Sequence, residues 1–464
     1  MKDFDYDLII IGAGSAGATA AVNAVSLGAN KVLIIERGEL GGTCTNTGCV
    51  PTKIFLHSAK LMLEAENANR YLEKPVMPTP NWKNIMQRKQ YYINSAHHNG
   101  LRIFADRGIE LIKGKAKLID THTVSIDEKS MTAKYILIAT GAKAAIPPIK
   151  GIHEIDYLTN ANALELKNLP QSIIVIGGSY IGLEFASFFN ALGSKVFVVE
   201  SKNTIASTED EDISDYLSKE LENSGIEIFS SAKAIRVKKE GKQILLEISQ
   251  DKNAYNLVAN KLLVATGRKP NLDFNPKAAA IRAETEGILV NPLLQTDSPN
   301  IYAAGDVLPT LQLEHVATYE GYLAAHNMFS LNKQLTDYSV VPHVMFTFPE
   351  VAAVGITQRQ AEESFHIATS LYSYSAIAAA SINEERNGII KLIGDNNTGL
   401  LLGAHIIGAD AGNLIHLASI LMQAKVPVNA LAEQISAYPT LAQGFYYALT
   451  KLSENISRRK LKAA

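Results

Sequence analysis

Tyr6-Asp7-Leu8-Ile9-Ile10-Ile11-Gly12-Ala13-Gly14-Ser15-Ala16-Gly17 is a mostly apolar run that passes straight into closely spaced glycines. Such a run suits a parallel strand buried on both faces. An alanine-rich stretch with helical character follows. The next apolar run, Lys31-Val32-Leu33-Ile34-Ile35, ends at Glu36, about 20 residues beyond the glycines. Strand, glycine turn, helix, strand and acid together form a dinucleotide-binding unit. Gly12 makes the turn, Gly14 lets backbone approach a pyrophosphate, and Gly17 allows the helix to lie close to the strand. Glu36 is placed to accept hydrogen bonds from an adenosine ribose.

The pattern then repeats. Ser172-Ile173-Ile174-Val175-Ile176 leads into Gly177-Gly178-Ser179-Tyr180-Ile181-Gly182, a helix beginning near Leu183-Glu184, and Lys195-Val196-Phe197-Val198-Val199 ending in Glu200. Ser179 replaces the middle glycine of the fingerprint; its hydroxyl can serve a phosphate in the glycine's place. Glu200 favours NAD over NADP, because a carboxylate accepts from a ribose 2′-OH and repels a 2′-phosphate. Lys202 leaves NADP open. Apolar runs closing in Ala139-Thr140-Gly141 and Ala265-Thr266-Gly267 are also duplicated. Two units of like plan imply two different dinucleotides.

Both cysteines of the chain lie between the halves of the first unit, in Gly41-Gly42-Thr43-Cys44-Thr45-Asn46-Thr47-Gly48-Cys49-Val50-Pro51-Thr52-Lys53. A five-residue spacing on a regular helix separates Cα atoms by roughly 7.5 Å. A disulfide needs about 4.4–6.8 Å, so a bend is required, and Gly48 permits one. Pro51 suits the first turn of a helix, placing Cys49 near a helix N-terminus where thiolate is favoured. Inert core cysteines would be scattered along the chain. A zinc site lacks ligands, since only His57 is near. A chain of this size in a reducing compartment has little need of so small a staple. A redox-active pair is the favoured reading.

The 464 residues carry 44 Lys+Arg and 46 Asp+Glu, with 47% apolar content. This is an ordinary globular composition with room for several domains. A net charge of −2 gives no electrostatic case for nucleic acid or an anionic membrane as partner. No apolar run is long enough to span a bilayer, and the N-terminus carries no secretory pattern. The expected setting is cytoplasmic. Residues 54 to 105 read as helical, with a break around Pro75 to Pro80 and Trp82 packed between the helices. Gly114-Lys115-Ala116 opens a short β region. Gly305-Asp306 closes another strand, and a helix begins near Leu313-Glu314-His315. Gly388 to Ile393 and Leu400 to Ile407 read as strands, two helices follow, and Arg458-Arg459-Lys460 reads as a solvated helix end.

Taken together, the chain resembles the class I pyridine nucleotide-disulfide oxidoreductases, a family that includes dihydrolipoamide dehydrogenase, glutathione reductase and mercuric reductase. The resemblance is carried by the first fingerprint, the Cys44/Cys49 segment, both Ala-Thr-Gly turns, Gly305-Asp306 and Thr347-Phe348-Pro349-Glu350. It implies an α/β fold with two Rossmann-like domains and a C-terminal α+β dimerisation domain. The FAD domain would span 1–150 and 270–338, the NAD(P) domain 151–269, and the interface domain 339–464 of a homodimer. Cofactor contacts would come from Gly12, Gly14, Gly17, Glu36, Gly42, Thr43, Lys53, Ala116, Thr140, Gly141, Asp306 and His315 for FAD. Gly177, Ser179, Tyr180, Gly182, Glu200 and Gly267 would serve NAD(P).

The resemblance also implies an electron path. Tyr180 is a movable lid over the nicotinamide, hydride reaches flavin N5 near a Lys53–Glu184 ion pair, and Cys49 faces the flavin as the charge-transfer thiolate. Cys44 exchanges with the acceptor. Disulfide-reducing members carry His-Pro-Thr-x-x-Glu near the C-terminus, donated across the dimer. Here the aligned stretch is Tyr438-Pro439-Thr440-Leu441-Ala442-Gln443, with tyrosine in place of the base, as in mercuric reductase and its relatives. Mercuric reductase also has a C-terminal cysteine pair, whereas Leu461-Lys462-Ala463-Ala464 has no cysteine, and the chain shows no N-terminal metal-binding domain. The preferred acceptor is a small molecule needing no histidine base, such as a metal ion or quinone. The alternatives are dihydrolipoamide dehydrogenase and a flavin-binding redox sensor with little turnover.

Overall fold

Leu8, Ile9 and Ile10 are completely buried, as are Leu33 and Ile34 two segments later, and these apolar runs form the centre of the first sheet. Each such side chain contributes about 1.5–3 kcal/mol by leaving water. The computed structural model describes residues 4–127, 129–251, 253–431 and 434–463, with side chains described up to residue 457, so the Arg458-Arg459-Lys460 end lies outside the described side chains.

The first unit comprises β1 (Tyr6–Ile11), α1 (Ser15–Ser26), β2 (Val32–Glu36), α2 (Gly42–Thr47), α3 (Cys49–Asn67), α4 (Trp82–Asp106), β3 (Ile109–Lys113), β4 (Ala116–Leu118), β5 (Thr123–Ile126), β6 (Lys129–Ile138) and β7 (Ala142–Ala144). β1 pairs in parallel with β2 on one side and β6 on the other, with Ile10 opposite Ile34 and Leu137. β2 pairs with β3. The first half of β6 folds back on β5, and β5 on β4, as an antiparallel arm. Trp82 does more than join α3 to α4. Its indole N–H donates to the Leu166 carbonyl at 2.9 Å, and its ring stands 5.6 Å from Phe55 and 6.1 Å from Phe188.

The second unit follows: α5 (Asn160–Ala163), β8 (Ser172–Ile176), α6 (Tyr180–Ala191), β9 (Lys195–Val199), α7 (Glu211–Asn223), β10 (Glu227–Phe229), β11 (Ala232–Glu240), β12 (Gln243–Gln250), β13 (Asn253–Ala259) and β14 (Lys261–Val264). Its parallel sheet runs β10-β9-β8-β14. β11, β12 and β13 form a separate antiparallel sheet not anticipated from the sequence. The alternation of buried Ile244, Leu246 and Ile248 was its legible signal. Arg268 does not extend β14. It opens β15 (Arg268–Pro270), which pairs with β7.

β16 (Ile301–Ala303) returns the chain to the first sheet beside β6, with Ile301 opposite Ile136. After α8 (Glu314–Phe329), a third layer comprises β17 (His343–Met345), β18 (Val351–Gly355), α9 (Gln358–Glu362), β19 (Ile367–Ser373), α10 (Ala378–Ile382), β20 (Ile389–Asp395), β21 (Leu401–Ile407), α11 (Ala411–Gln423) and α12 (Ala442–Ala463). Its sheet is antiparallel throughout, in the order β17-β18-β21-β20-β19. No helix among the described residues is long and apolar enough to cross a membrane.

Candidate active site

The two glycine turns are built alike at atomic level. A Cβ on Gly12 would lie 2.2 Å from the Ala139 carbonyl oxygen, and one on Gly177 2.3 Å from that of Ala265. Both glycines also have φ of +112°, which L side chains rarely adopt. Glu36 accepts from the Ala13 and Gly38 amides, each at 2.7 Å. Glu200 accepts from Gly178 at 2.7 Å and Lys202 at 2.8 Å. Each acid thus braces the turn above it. Glu200 is only 9% exposed.

Beside the first turn the cysteine segment is more ordered than a bent glycine stretch. Gly42–Thr47 is a short helix, held by the Asn46 amide donating to the Gly42 carbonyl at 2.8 Å and to that of Leu40 at 3.0 Å. Asn46 in turn meets His97 Nε2 at 2.7 Å. Gly48 separates this helix from α3, and a Cβ there would lie 2.9 Å from the Thr43 carbonyl oxygen. Cys49 is the first residue of α3 and Pro51 sits in its first turn. The helical run is interrupted at Gly48, and this brings the two cysteine side chains within reach of each other.

Cys44 is half-buried and Cys49 is exposed into the cavity. The Cys44 thiol donates to the Cys49 sulfur, and this bond lowers the Cys49 pKa to about 7 against an opposing effect of burial, with Lys53 assisting. The same hydrogen bond, with burial, pushes Cys44 up. Cys49 is therefore the thiolate and Cys44 its proton-bearing partner.

Lys53 lies four residues after Cys49, on the same face of α3. Its Nζ reaches both oxygens of Glu184, on α6 of the second unit, at 2.8 and 2.7 Å. The Phe346 amide donates to Glu184 Oε1 at 3.1 Å, and Lys53 sits 4.7 Å above the Phe346 ring centroid. Glu184 is 7% exposed and Lys53 35%. The ion pair ties all three layers together beside the dithiol. Removing one member of a fully buried pair costs about 3–5 kcal/mol. Solvent screening at the partly exposed lysine reduces this to about 2 kcal/mol.

Lys53→Met is expected to lose that stability and to raise the Cys49 pKa. The thiolate is present above pH of about 7 and lost as pH falls through it. In Lys53→Met, and more so in Cys44→Ala, alkylation of the reduced protein by iodoacetamide should therefore shift to higher pH. A profile unmoved by both changes would mean that neither group sets the acidity.

A single cavity of about 1630 Å³ joins these features. Gly12, Gly14, Glu36, Gly42, Thr43, Cys44, Cys49, Lys53, Ala116, Thr140, Gly141, Ser179, Tyr180, Glu184, Gly267, Asp306 and His315 all line it. Gly17, Gly177, Gly182 and Glu200 do not; they lie beneath the two turns, where they shape backbone. Tyr438 is 70% exposed and outside the lining. Among the described residues no three His, Cys, Asp or Glu side chains cluster to hold a metal ion.

Sequence reading missed Arg268 and Asn271, which also line the cavity. Arg268 follows the second Ala-Thr-Gly turn directly, and its Nη2 donates to the Ala142 carbonyl at 2.6 Å and meets Thr43 Oγ1 at 3.3 Å. Its Nε lies 3.5 Å from Asp306. Burial raises the Asp306 pKa, with Arg268 opposing. Asn271 donates to the Thr140 carbonyl at 3.0 Å while its buried Oδ1 has no hydrogen-bond partner. An unpaired carbonyl and an acid that meets Arg268 only at 3.5 Å offer acceptors to a hydroxyl- and amide-bearing ligand. With the Gly12–Gly14 turn and the N-terminus of α1 alongside, the site fits a flavin dinucleotide.

Two dinucleotide turns converging on an acidic dithiol define an oxidoreductase that passes electrons between a nicotinamide, a flavin and sulfur. The family model of the pyridine nucleotide-disulphide oxidoreductases matches residues 6–321, and that of their dimerisation domain matches residues 341–448. Mercuric reductase of Bacillus cereus is 37% identical over 98% of this chain and 73% of its own length. Dihydrolipoyl dehydrogenase of Bacillus subtilis (strain 168) is 32% identical over 95% of this chain and 97% of its own. The Cu(II) complex of the HOCl-induced flavoprotein disulfide reductase RclA from Escherichia coli superposes with a TM-score of 0.86 at 30% identity, covering 96% of this chain and 99% of that one. The chain belongs to the class I pyridine nucleotide-disulfide oxidoreductases, whose members use FAD and NAD(P)H.

Proposed function

We propose that this protein is an FAD-dependent NAD(P)H oxidoreductase that delivers two electrons through Cys44 and Cys49 to a thiophilic metal ion. The observation that carries this reading is the dithiol itself, Cys44 and Cys49 on two helices that meet at Gly48, with the Lys53–Glu184 pair one helical turn from Cys49. Such a pair can bind a soft cation without a proton shuttle. Bound FAD supplies the two-electron relay between nicotinamide and sulfur. Residues 1–150 and 270–338 are assigned to FAD, 151–269 to NAD(P), and 339–464 to a homodimer interface. Gly12, Gly14 and the α1 N-terminus take the flavin's pyrophosphate, Asp306 its ribityl hydroxyls, and Ser179 with the α6 N-terminus the phosphates of the nicotinamide dinucleotide.

Each cycle opens the Cys44–Cys49 S–S bond at the expense of NAD(P)H. The two sulfurs then bind the acceptor, and as the S–S bond re-forms their two electrons pass to one Hg(II) or, one each, to two Cu(II), with the thiol proton released to solvent. Lys53, paired with Glu184, holds positive charge beside Cys49 while that thiolate forms. Tyr438 and Gln443, at the positions of the family's histidine and glutamate, put a phenol and an amide where those members carry an imidazole base and its orienting carboxylate. Loss of a general base forfeits roughly 10²–10⁴-fold in rate. Three mercuric reductases at 35–37% identity, and the RclA structure with Cu(II), support a metal acceptor.

The test is an acceptor screen on FAD-loaded protein with both nicotinamides. Hg(II)- or Cu(II)-dependent oxidation of NAD(P)H is expected to exceed lipoamide turnover by roughly a hundredfold. Tyr438→His should raise lipoamide turnover alone. Lipoamide turnover equal to the metal rate would assign the protein as a dihydrolipoyl dehydrogenase, quinone turnover alone would replace the metal, and silence with every acceptor would leave a sensor.

A further inference from the structure

Tyr180 opens α6 directly after the second glycine turn, one helical turn before Glu184. Residues four apart share a helix face, so the route from that turn to Lys53 and Cys49 passes the Tyr180 ring. The Tyr180 hydroxyl donates to Glu209 Oε1. The Glu209 side chain is 1% exposed, and it also meets His343 Nε2, on β17 of the third layer, at 3.2 and 3.1 Å. The His343 ring stands edge-on to Tyr180 at 5.7 Å. The neighbouring Asp210 accepts from the Gln358 amide at 3.0 Å and from Lys391 Nζ at 2.7 Å, so the whole corner is anchored to the third layer. The chemistry at the dithiol makes no use of Glu209. Burial alone would neutralise its carboxyl, but hydrogen bonds from His343 and Tyr180 prevail and hold its pKa low.

We propose that Glu209 is a positioning residue that latches Tyr180 across the passage, so that the nicotinamide end of the dinucleotide enters only when this hydrogen bond opens. The proposal rests on the reading that the second unit binds NAD(P)(H). A hydrogen bond to an ionised acceptor is roughly twice as strong as a neutral one. The apparent dissociation constant rises as the fraction of open molecules falls. Weakening the latch therefore tightens binding, whereas a merely structural role for Glu209 predicts the opposite.

In FAD-loaded protein, Glu209→Gln is expected to tighten NAD⁺ binding, measured by calorimetry, by about 3- to 30-fold. The KM for NADH should fall in proportion. Tyr180→Phe should tighten NAD⁺ binding similarly, and the double variant should gain nothing further because both changes open the same bond. Should Glu209→Gln fail to fold, Tyr180→Phe decides alone. Unchanged or weaker NAD⁺ binding in these variants overturns the latch. If Tyr180→Ala tightens binding while Glu209→Gln and Tyr180→Phe do not, the gate stands without its latch. If Tyr180→Ala also has no effect, the assignment of the second unit's nucleotide route fails.

Discussion

Replacing Cys44 or Cys49 by serine is expected to cut acceptor-dependent NAD(P)H oxidation by about a thousandfold or more, while FAD stays bound. Deleting a group that forms a covalent bond in the cycle acts on that scale. The two variants should fail differently. Cys44→Ser retains the Cys49 thiol and places a hydroxyl where Cys44 donates, so acidic iodoacetamide reactivity should persist. Cys49→Ser removes the sulfur whose pKa is near 7 and leaves Cys44, whose thiol burial holds protonated. Its reactivity at neutral pH should nearly vanish. Neither cysteine belongs to the Gly12–Gly17 turn, to which the flavin's phosphates are assigned in the proposal, so the yellow colour is a control for folding. Turnover that survives both changes would place the electron exit elsewhere.

The second large effect is a division of labour between the two turns. A Cβ on Gly17 would lie 2.0 Å from the Gly12 carbonyl oxygen, and one on Gly182 1.9 Å from that of Gly177. The atom in the way is backbone in both cases and cannot rotate aside. Overpacking of this kind costs about 1–3 kcal/mol, or roughly five- to 150-fold in the affinity that depends on the turn. Gly17→Ala should therefore lose FAD. Gly182→Ala should stay yellow yet need roughly five- to 150-fold more NAD(P)H to be reduced. Equal loss of both cofactors in either variant would mean that the clash unfolds the chain instead of one cradle.

Much of this was legible because burial on both faces of a parallel strand leaves continuous apolar runs, as in Leu8–Ile11 and Ile173–Ile176. The glycine spacing and the acids Glu36 and Glu200 completed the reading. What escaped was set by contacts far apart in sequence. The Gly42–Thr47 helix depends on the Asn46 amide and on His97, 51 residues away. Glu209 and His343 are 134 residues apart, and no local pattern links them. Arg268 was visible as a residue but not as a site member, because its partners Thr43 and Asp306 come from opposite ends of the first unit.

The pairing of β16 with β6 bears on how the chain is made. Ile301 lies opposite Ile136, so more than a third of the polypeptide must leave the ribosome between these neighbours. The parallel sheet of the second unit draws only on residues 172 to 264. Those contacts close over shorter loops and can settle first during vectorial synthesis. The first unit, although it begins near residue 6, remains one strand short until the second unit has already been translated.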